Sequence, residues 1–202
     1  MSKKMFDFFI SFASLLVLSP ILLFISVLIK LDSHGPVFYR GTRAGTKGQP
    51  FKIYKFRTMV IDAEKKGGPS TADDDTRITR VGKILRKIKL DELPQLLNIL
   101  EGDMSFVGPR PEVYFYVDMY NEEEKNILNV KPGITDRASI WNSDEGAILK
   151  GSIDPEKTYM EKIRPTKIKL QLEYVQNNSF WSDISIIFDT MNEIFIRRNR
   201  SH

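Results

Sequence analysis

The hydrophobic pattern is dominated by one apolar run from Met5 to Leu31, interrupted mainly by Asp7 and by Ser19-Pro20. About 20 apolar residues in a helix cross the hydrocarbon core of a bilayer, so the run has membrane-helix length. A signal peptide would have a shorter apolar region ending in small residues at a cleavage site. This run instead continues into Lys30-Leu31-Asp32. A buried helix of a soluble core is the remaining alternative. Beyond Gly35-Pro36, residues 37–40 and 51–56 read as short strands on either side of a glycine-rich turn, Gly41 to Gly48. Residues 62–76 are polar, contain Gly67-Gly68-Pro69, and predict a loop whose acidic run Asp73-Asp74-Asp75 faces solvent. Ile78, Val81, Ile84, Leu85 and Ile88 have helical spacing, with Arg77, Arg80, Lys83, Arg86, Lys87 and Lys89 on the other faces. This is a basic amphipathic helix. A second helix is predicted from Asp91 as N-cap, through Pro94 in the first turn, to a stop at Gly102. The pattern then predicts a helix over 112–130, irregular chain over 131–155, and a helix over 159–176 broken near Pro165. It closes on an amphipathic helix over 180–198, whose face of Phe180, Trp181, Ile184, Ile187, Phe188, Met191 and Phe195 reads first as core and second as membrane surface.

Charge refines the reading of the apolar run. Lys3 and Lys4 flank one end; Lys30, Arg40, Arg43 and Lys47 flank the other. A spanning helix carries its positive excess on one side. Pro20 removes the donor to the Leu16 carbonyl and bends the helix, and Ser19 can bond back to a carbonyl one turn earlier. Charge and proline leave a spanning and a re-entrant helix both open. Over the whole chain of 202 residues, 42% are hydrophobic and 28% charged, which fits a folded domain rather than a disordered one. The net charge of +4 favours anionic partners, phosphates and acidic headgroups among them. With no cysteine there are no disulfides, thiol nucleophiles or thiolate zinc sites, and with only His34 and the last residue His202 a Ser-His-Asp machine or a two-histidine metal site is not expected.

Candidate chemistry centres on Asp91-Glu92. A carboxylate at a helix start can serve as a cap and favour the dipole. The same carboxylate, held ionised, can attack phosphorus and form an acyl phosphate. Its neighbour can hold a hard cation such as Mg²⁺, which takes oxygen ligands and often bridges to substrate phosphates. Arg110 lies between Pro109 and Pro111, which stiffen the backbone and lower the entropy lost when it clamps an anion. Arg86, Lys55 and Arg57 are further cations at element ends. The glycine-rich turn lacks the spacing of known phosphate loops.

On these residues the chain resembles the bacterial sugar transferases, the monotopic phosphoglycosyl transferases. The matching segments are Ser19-Pro20 in its apolar run, GPVFYRGTRAG, FKIYKFRTM, GKILRKIKLDELPQLLNILEGDMSFVGPRPE and KPGIT at 131–135. The resemblance implies an α+β, mostly helical monotopic protein with a small β-hairpin or sheet. Residues 1–31 would form a re-entrant membrane helix bent at Ser19 and Pro20, and residues 32–202 a catalytic domain on the cytoplasmic face of the bacterial inner membrane. It implies Asp91 as nucleophile, Glu92 with Asp91 as Mg²⁺ ligands, and Arg86 and Arg110 as phosphate-binding cations, with Lys55 and Arg57 as weaker carry-overs. It implies a ping-pong transfer of sugar 1-phosphate from a UDP-sugar to undecaprenyl phosphate. UMP would be released through an aspartyl-phosphosugar intermediate, in the first membrane step of a surface glycan. Membrane lipid is then a partner and nucleic acid is not. The extra membrane helices and regulatory domain of larger relatives are not expected in this chain. Where many relatives continue KPGIT with glycine and small residues, this chain has Asp136-Arg137-Ala138-Ser139, so Arg137 joins the candidate substrate-binding residues and the sugar stays open. A non-catalytic, membrane-anchored module that binds anions through its basic helix is the competing function.

Overall fold

The computed structural model describes residues 3–200, with side chains through Ile194. Helix α1, Lys3–Asp32, is one element through Ser19-Pro20. Pro20 leaves the Leu16 carbonyl without its usual donor, and the Ser19 hydroxyl donates to that carbonyl at 2.8 Å. At about 1.5 Å per residue the helix is roughly 45 Å long. One face packs along the domain. Leu15 and Leu18 meet Phe51, Ile53, Leu96, Ile99 and Met104, and Ile25 and Ile29 meet Phe56 and Leu85. The opposite face leaves Phe9, Phe12, Leu16, Val17, Leu23 and Phe24 exposed.

Both ends of α1 are tied to the domain by polar contacts. At the start, Lys3 Nζ pairs with Asp183 and donates to the Val107 carbonyl, while Asp7 accepts from the Ser105 hydroxyl at 2.8 Å. Lys3, read from sequence as a flanking headgroup charge, is thus partly an internal tether. At the far end, Asp32 accepts from Val81 N–H at 3.0 Å, at the start of the following helix.

The predicted hairpin forms with a break in the middle. Strands β1 (Phe38–Tyr39) and β4 (Lys55–Phe56) pair antiparallel, as do β2 (Thr42–Ala44) and β3 (Pro50–Lys52). Next come α2 (Arg80–Lys87), capped by Thr79 on Gly82 N–H, and α3 (Gln95–Glu101), which stops at Gly102 with φ 90°. Strand β5 (Ser105–Val107) pairs parallel with β6 (Gly133–Thr135), setting Ser105 opposite Gly133. A side chain at Gly133 would begin 2.1 Å from Gly108 N, so only glycine permits this approach.

The helix expected over 112–130 is replaced by a short α4 (Tyr114–Val117) and a 3₁₀ segment, Glu124–Asn129. Asn121 and Glu124 exchange side-chain to backbone hydrogen bonds, which restarts the chain there. The segment expected to be irregular contains β6, α5 (Arg137–Trp141), α6 (Glu145–Leu149) and the start of α7 (Pro155–Thr158). A π-helical turn, Tyr159–Ile163, leads into α8 (Arg164–Asn177), so the predicted break near Pro165 is present. In the acidic run Asp73 and Asp74 are exposed, as expected, and Asp75 is half-buried. Asp75 pairs with Arg77, Asp74 accepts from Gly151 N–H, and Asp73 N–H donates to Gly146. On α9 (Phe180–Arg200), Ile186 is buried and Ile184 and Ile187 half-buried, but Trp181, Phe188 and Met191 are exposed. The face therefore divides between core and exposed surface. Phe195 lies outside the described side chains.

Candidate active site

The dyad sits at a sharp exit from the basic helix. Lys89 adopts the left-handed region (φ 57°, ψ 22°) and turns the chain out of α2. A 3₁₀ turn, Leu90–Glu92, then carries the carboxylates toward α3, whose cap position is Pro94. Asp91 is therefore not the N-cap of α3, and no side-chain cap hydrogen bond is made at either start. Asp91 as a residue is 8% exposed, and its carboxylate accepts no hydrogen bond from a described residue. The capping explanation for this aspartate falls away with that geometry.

Glu92 has the opposite surroundings. Lys55 Nζ, from β4, donates to Oε1 at 2.8 Å. Arg110, from the Pro-Arg-Pro loop that follows β5, donates to both carboxylate oxygens, with Nη1 to Oε2 at 3.0 Å. Three segments far apart in sequence thus meet at one carboxylate. Burial would raise the pKa of Glu92, but the charges and hydrogen bonds of Arg110 and Lys55 hold it well below the ordinary glutamate value. Burial, then the charge of Glu92, raises Asp91 above the ordinary aspartate value, against the pull of Lys55, Arg86 and Lys89. Burial also lowers the Lys55 ammonium, with Arg110 adding to the effect and Glu92 opposing it. Adjacent carboxylates whose pKa values are driven apart have different tasks available to them. Glu92 is a fixed anion that gathers cations, and Asp91 is a buried carboxyl with open oxygens.

Arg86 lies in the last turn of α2, within electrostatic reach of Asp91, and its guanidinium donates to no described residue. Arg57 is elsewhere. Its guanidinium donates to the carbonyls of Ser33, His34 and Pro36 and so fixes the chain leaving α1. Three of its five N–H groups are spent on backbone, so in this geometry Arg57 chiefly fixes the chain. Arg137 is exposed at the start of α5, without a hydrogen bond or ion pair to a described residue. Its neighbour Asp136, which the sequence reading did not single out as a site residue, accepts from Arg110 N–H at 3.2 Å. With 131–155 read as irregular chain, the sequence offers no local signal for this contact; the structure shows Asp136 as the cap of α5.

No group of three acidic or histidine side chains that could hold a metal is present among the described residues. The dyad alone offers hard oxygen ligands: Asp91 with open oxygens, and Glu92 with oxygens already engaged by Lys55 and Arg110. Such a set fits Mg²⁺ only where substrate phosphates complete the coordination.

The family described as "Bacterial sugar transferase" matches residues 1–197. An Aeromonas hydrophila UDP-N-acetylgalactosamine-undecaprenyl-phosphate N-acetylgalactosaminephosphotransferase is 36% identical over 95% of this chain and 43% of its own length. A UDP-glucose:undecaprenyl-phosphate glucose-1-phosphate transferase of Escherichia coli (strain K12) is 37% identical over 97% of this chain and 40% of its own. An exopolysaccharide production protein of Rhizobium leguminosarum bv. phaseoli is 40% identical over 94% and 92%. The chain therefore spans less than half of the first two relatives and nearly all of the third. With the matched region running from the apolar helix through the dyad and the Pro-Arg-Pro loop to α9, the chain belongs to the bacterial sugar transferase family.

Proposed function

We propose that this chain transfers a sugar 1-phosphate from a UDP-sugar to undecaprenyl phosphate at the membrane surface, in the first membrane step of a surface glycan. The observation that carries the reading is the asymmetric dyad: a buried Asp91 without a hydrogen-bond partner among the described residues, beside a Glu92 that holds Lys55 and Arg110 together. The named activities of the Aeromonas and Escherichia relatives support the substrate classes.

In this mechanism an Asp91 carboxylate oxygen attacks the phosphorus that bears the sugar. The new oxygen–phosphorus bond forms as the bond to the bridging oxygen breaks, and UMP leaves with that electron pair. The undecaprenyl phosphate oxygen then attacks the same phosphorus, expelling Asp91 as carboxylate and giving the undecaprenyl diphosphate sugar. Arg86 and Arg110 bind phosphate oxygens, and Arg110 and Lys55 keep Glu92 ionised. Mg²⁺, held by Asp91 and Glu92 together with substrate phosphates, would supply charge neutralisation.

Two tethers on α1 support the re-entrant topology. A helix spanning a core of about 30 Å carries one end away from a domain on the other side. Here Lys3 and Asp7 at one end and Asp32 at the other all bond the domain, which supports both ends lying on its cytoplasmic side and the exposed face meeting lipid. The test of function is UMP release from a panel of UDP-sugars, with and without undecaprenyl phosphate. Sustained release that needs the lipid phosphate is expected with one sugar class, and no release from any member would overturn the proposal.

A further inference from the structure

Arg110 can serve a diphosphate only if its short loop is held still, and the loop contains two prolines that cannot donate to a ladder. The structure compensates with a clamp. Gly133 N–H donates to the Pro109 carbonyl at 3.0 Å, and Gly108 N–H to the Thr135 carbonyl at 3.1 Å. On the far side, Ala44 N–H donates to the Glu112 carbonyl at 3.0 Å. Arg110 N–H, the donor left between the prolines, is taken by Asp136 Oδ2 at 3.2 Å. Asp136 is 1% exposed. The same oxygen accepts from Gln171 Nε2 of α8 at 3.1 Å, and Oδ1 caps α5 by accepting from Ser139 N–H at 2.6 Å. One buried carboxylate thus joins the Pro-Arg-Pro loop, α5 and α8.

We infer that Asp136 is the positioning residue of this site: through the Arg110 backbone N–H it sets where the Arg110 guanidinium meets Glu92 and the donor diphosphate. The inference rests on the proposed transferase reading. An amide could not replace the carboxylate, because three N–H groups converge on its two oxygens and an asparagine has one oxygen to offer. Asp136 also contributes to stabilising the Arg110 cation, after Glu92 and Glu145. This is the place where the chain puts aspartate, arginine, alanine and serine after KPGIT. The departure therefore acts on phosphate binding rather than only on the sugar.

A purely local role, capping α5, is separable from positioning. Asp136→Ser keeps a good capping oxygen for Ser139 N–H but is too short to hold Arg110 and Gln171 as well. Asp136→Asn gives a second variant with the native length. The experiment is UDP binding by calorimetry to the full chain in lipid nanodiscs, for wild type, each Asp136 variant, Arg110→Ala and the double variants. Positioning predicts about tenfold weaker UDP binding for Asp136→Ser and Asp136→Asn. In the Arg110→Ala background either change should add less than about twofold, because the side chain being positioned is gone. Wild-type affinity in Asp136→Ser, or losses that multiply in the double variants, would overturn the inference and leave Asp136 as a cap. A wild-type chain that binds no UDP overturns the transferase reading itself, and the inference with it.

Discussion

Asp91→Asn should move activity and stability in opposite directions. In the folded chain Asp91 is buried, accepts no hydrogen bond from a described residue, and has its ionised form disfavoured first by burial and then by Glu92, against the pull of Lys55, Arg86 and Lys89. Asparagine removes the charge that burial and Glu92 disfavour while keeping the shape, so a stability gain on the order of 1 kcal/mol is expected at neutral pH. For a domain of this size that raises Tm by about 2–4 °C. The sign of the pH dependence follows from linkage. The folded pKa is raised, so wild-type stability from this group is intact below the unfolded value, about 3.9, and is lost as pH rises through the folded value. The advantage of Asp91→Asn should therefore vanish near pH 3 and grow towards neutrality, an interval set by that same unfolded reference value of about 3.9. Melting curves in excess chelator at several pH values read it directly. Turnover should fall by several orders of magnitude, each tenfold being about 1.4 kcal/mol of barrier. A capping aspartate would behave otherwise, losing about 0.5–2 kcal/mol of stability at little cost in activity. A variant that is less stable than wild type at pH 7 refutes the electrostatic reasoning.

Three further outcomes are expected. Arg57→Ala should cost about 2 kcal/mol or more in a denaturant melt, because three backbone carbonyls lose a charged donor, yet leave UDP affinity unchanged; a large rise in Kd without loss of stability would return Arg57 to the binding site. Excess chelator should stop UMP release, with Mg²⁺ or Mn²⁺ restoring it, and full turnover in chelator would remove the metal from the account. The chain has no native cysteine, so Lys4→Cys and His34→Cys should both resist a membrane-impermeant thiol reagent in intact cells; external labelling of either would show that the two ends of α1 do not share the cytoplasmic face.

The parts of this molecule that local pattern controls were legible in the sequence. The apolar run is α1, the glycine-rich turn joins a hairpin, Gly102 stops α3, and the break near Pro165 is where the π-helical turn yields to α8. Asp91-Glu92 and Pro109-Arg110-Pro111 stood out for the same reason, being contiguous. What long-range pairing controls was not legible. Nothing local couples Lys55 to Glu92, 37 residues on, or β5 to β6 across the interrupted 112–130 segment. The apolar spacing of that segment looks helical because Tyr116, Tyr120 and Ile127 are all buried, but they reach the core from short separate turns. The backbone role of Arg57 is illegible for a related reason: a cation in a matching motif shows its charge, while its partners, three backbone carbonyls, have no sequence signature. Asp136 carries no local signal either, because its partners, Arg110 N–H and Gln171 Nε2, lie 26 and 35 residues away.

The central claim is that Asp91 becomes covalently attached to the sugar phosphate. Wild-type chain mixed with its UDP-sugar and no lipid phosphate should release at most one equivalent of UMP. Intact-mass measurement should then show the protein heavier by one sugar phosphate, on the peptide containing Asp91, and adding undecaprenyl phosphate should discharge it. Continued UMP release only when both substrates are present, with no adduct at any time, would contradict the mechanism and point to direct transfer between them.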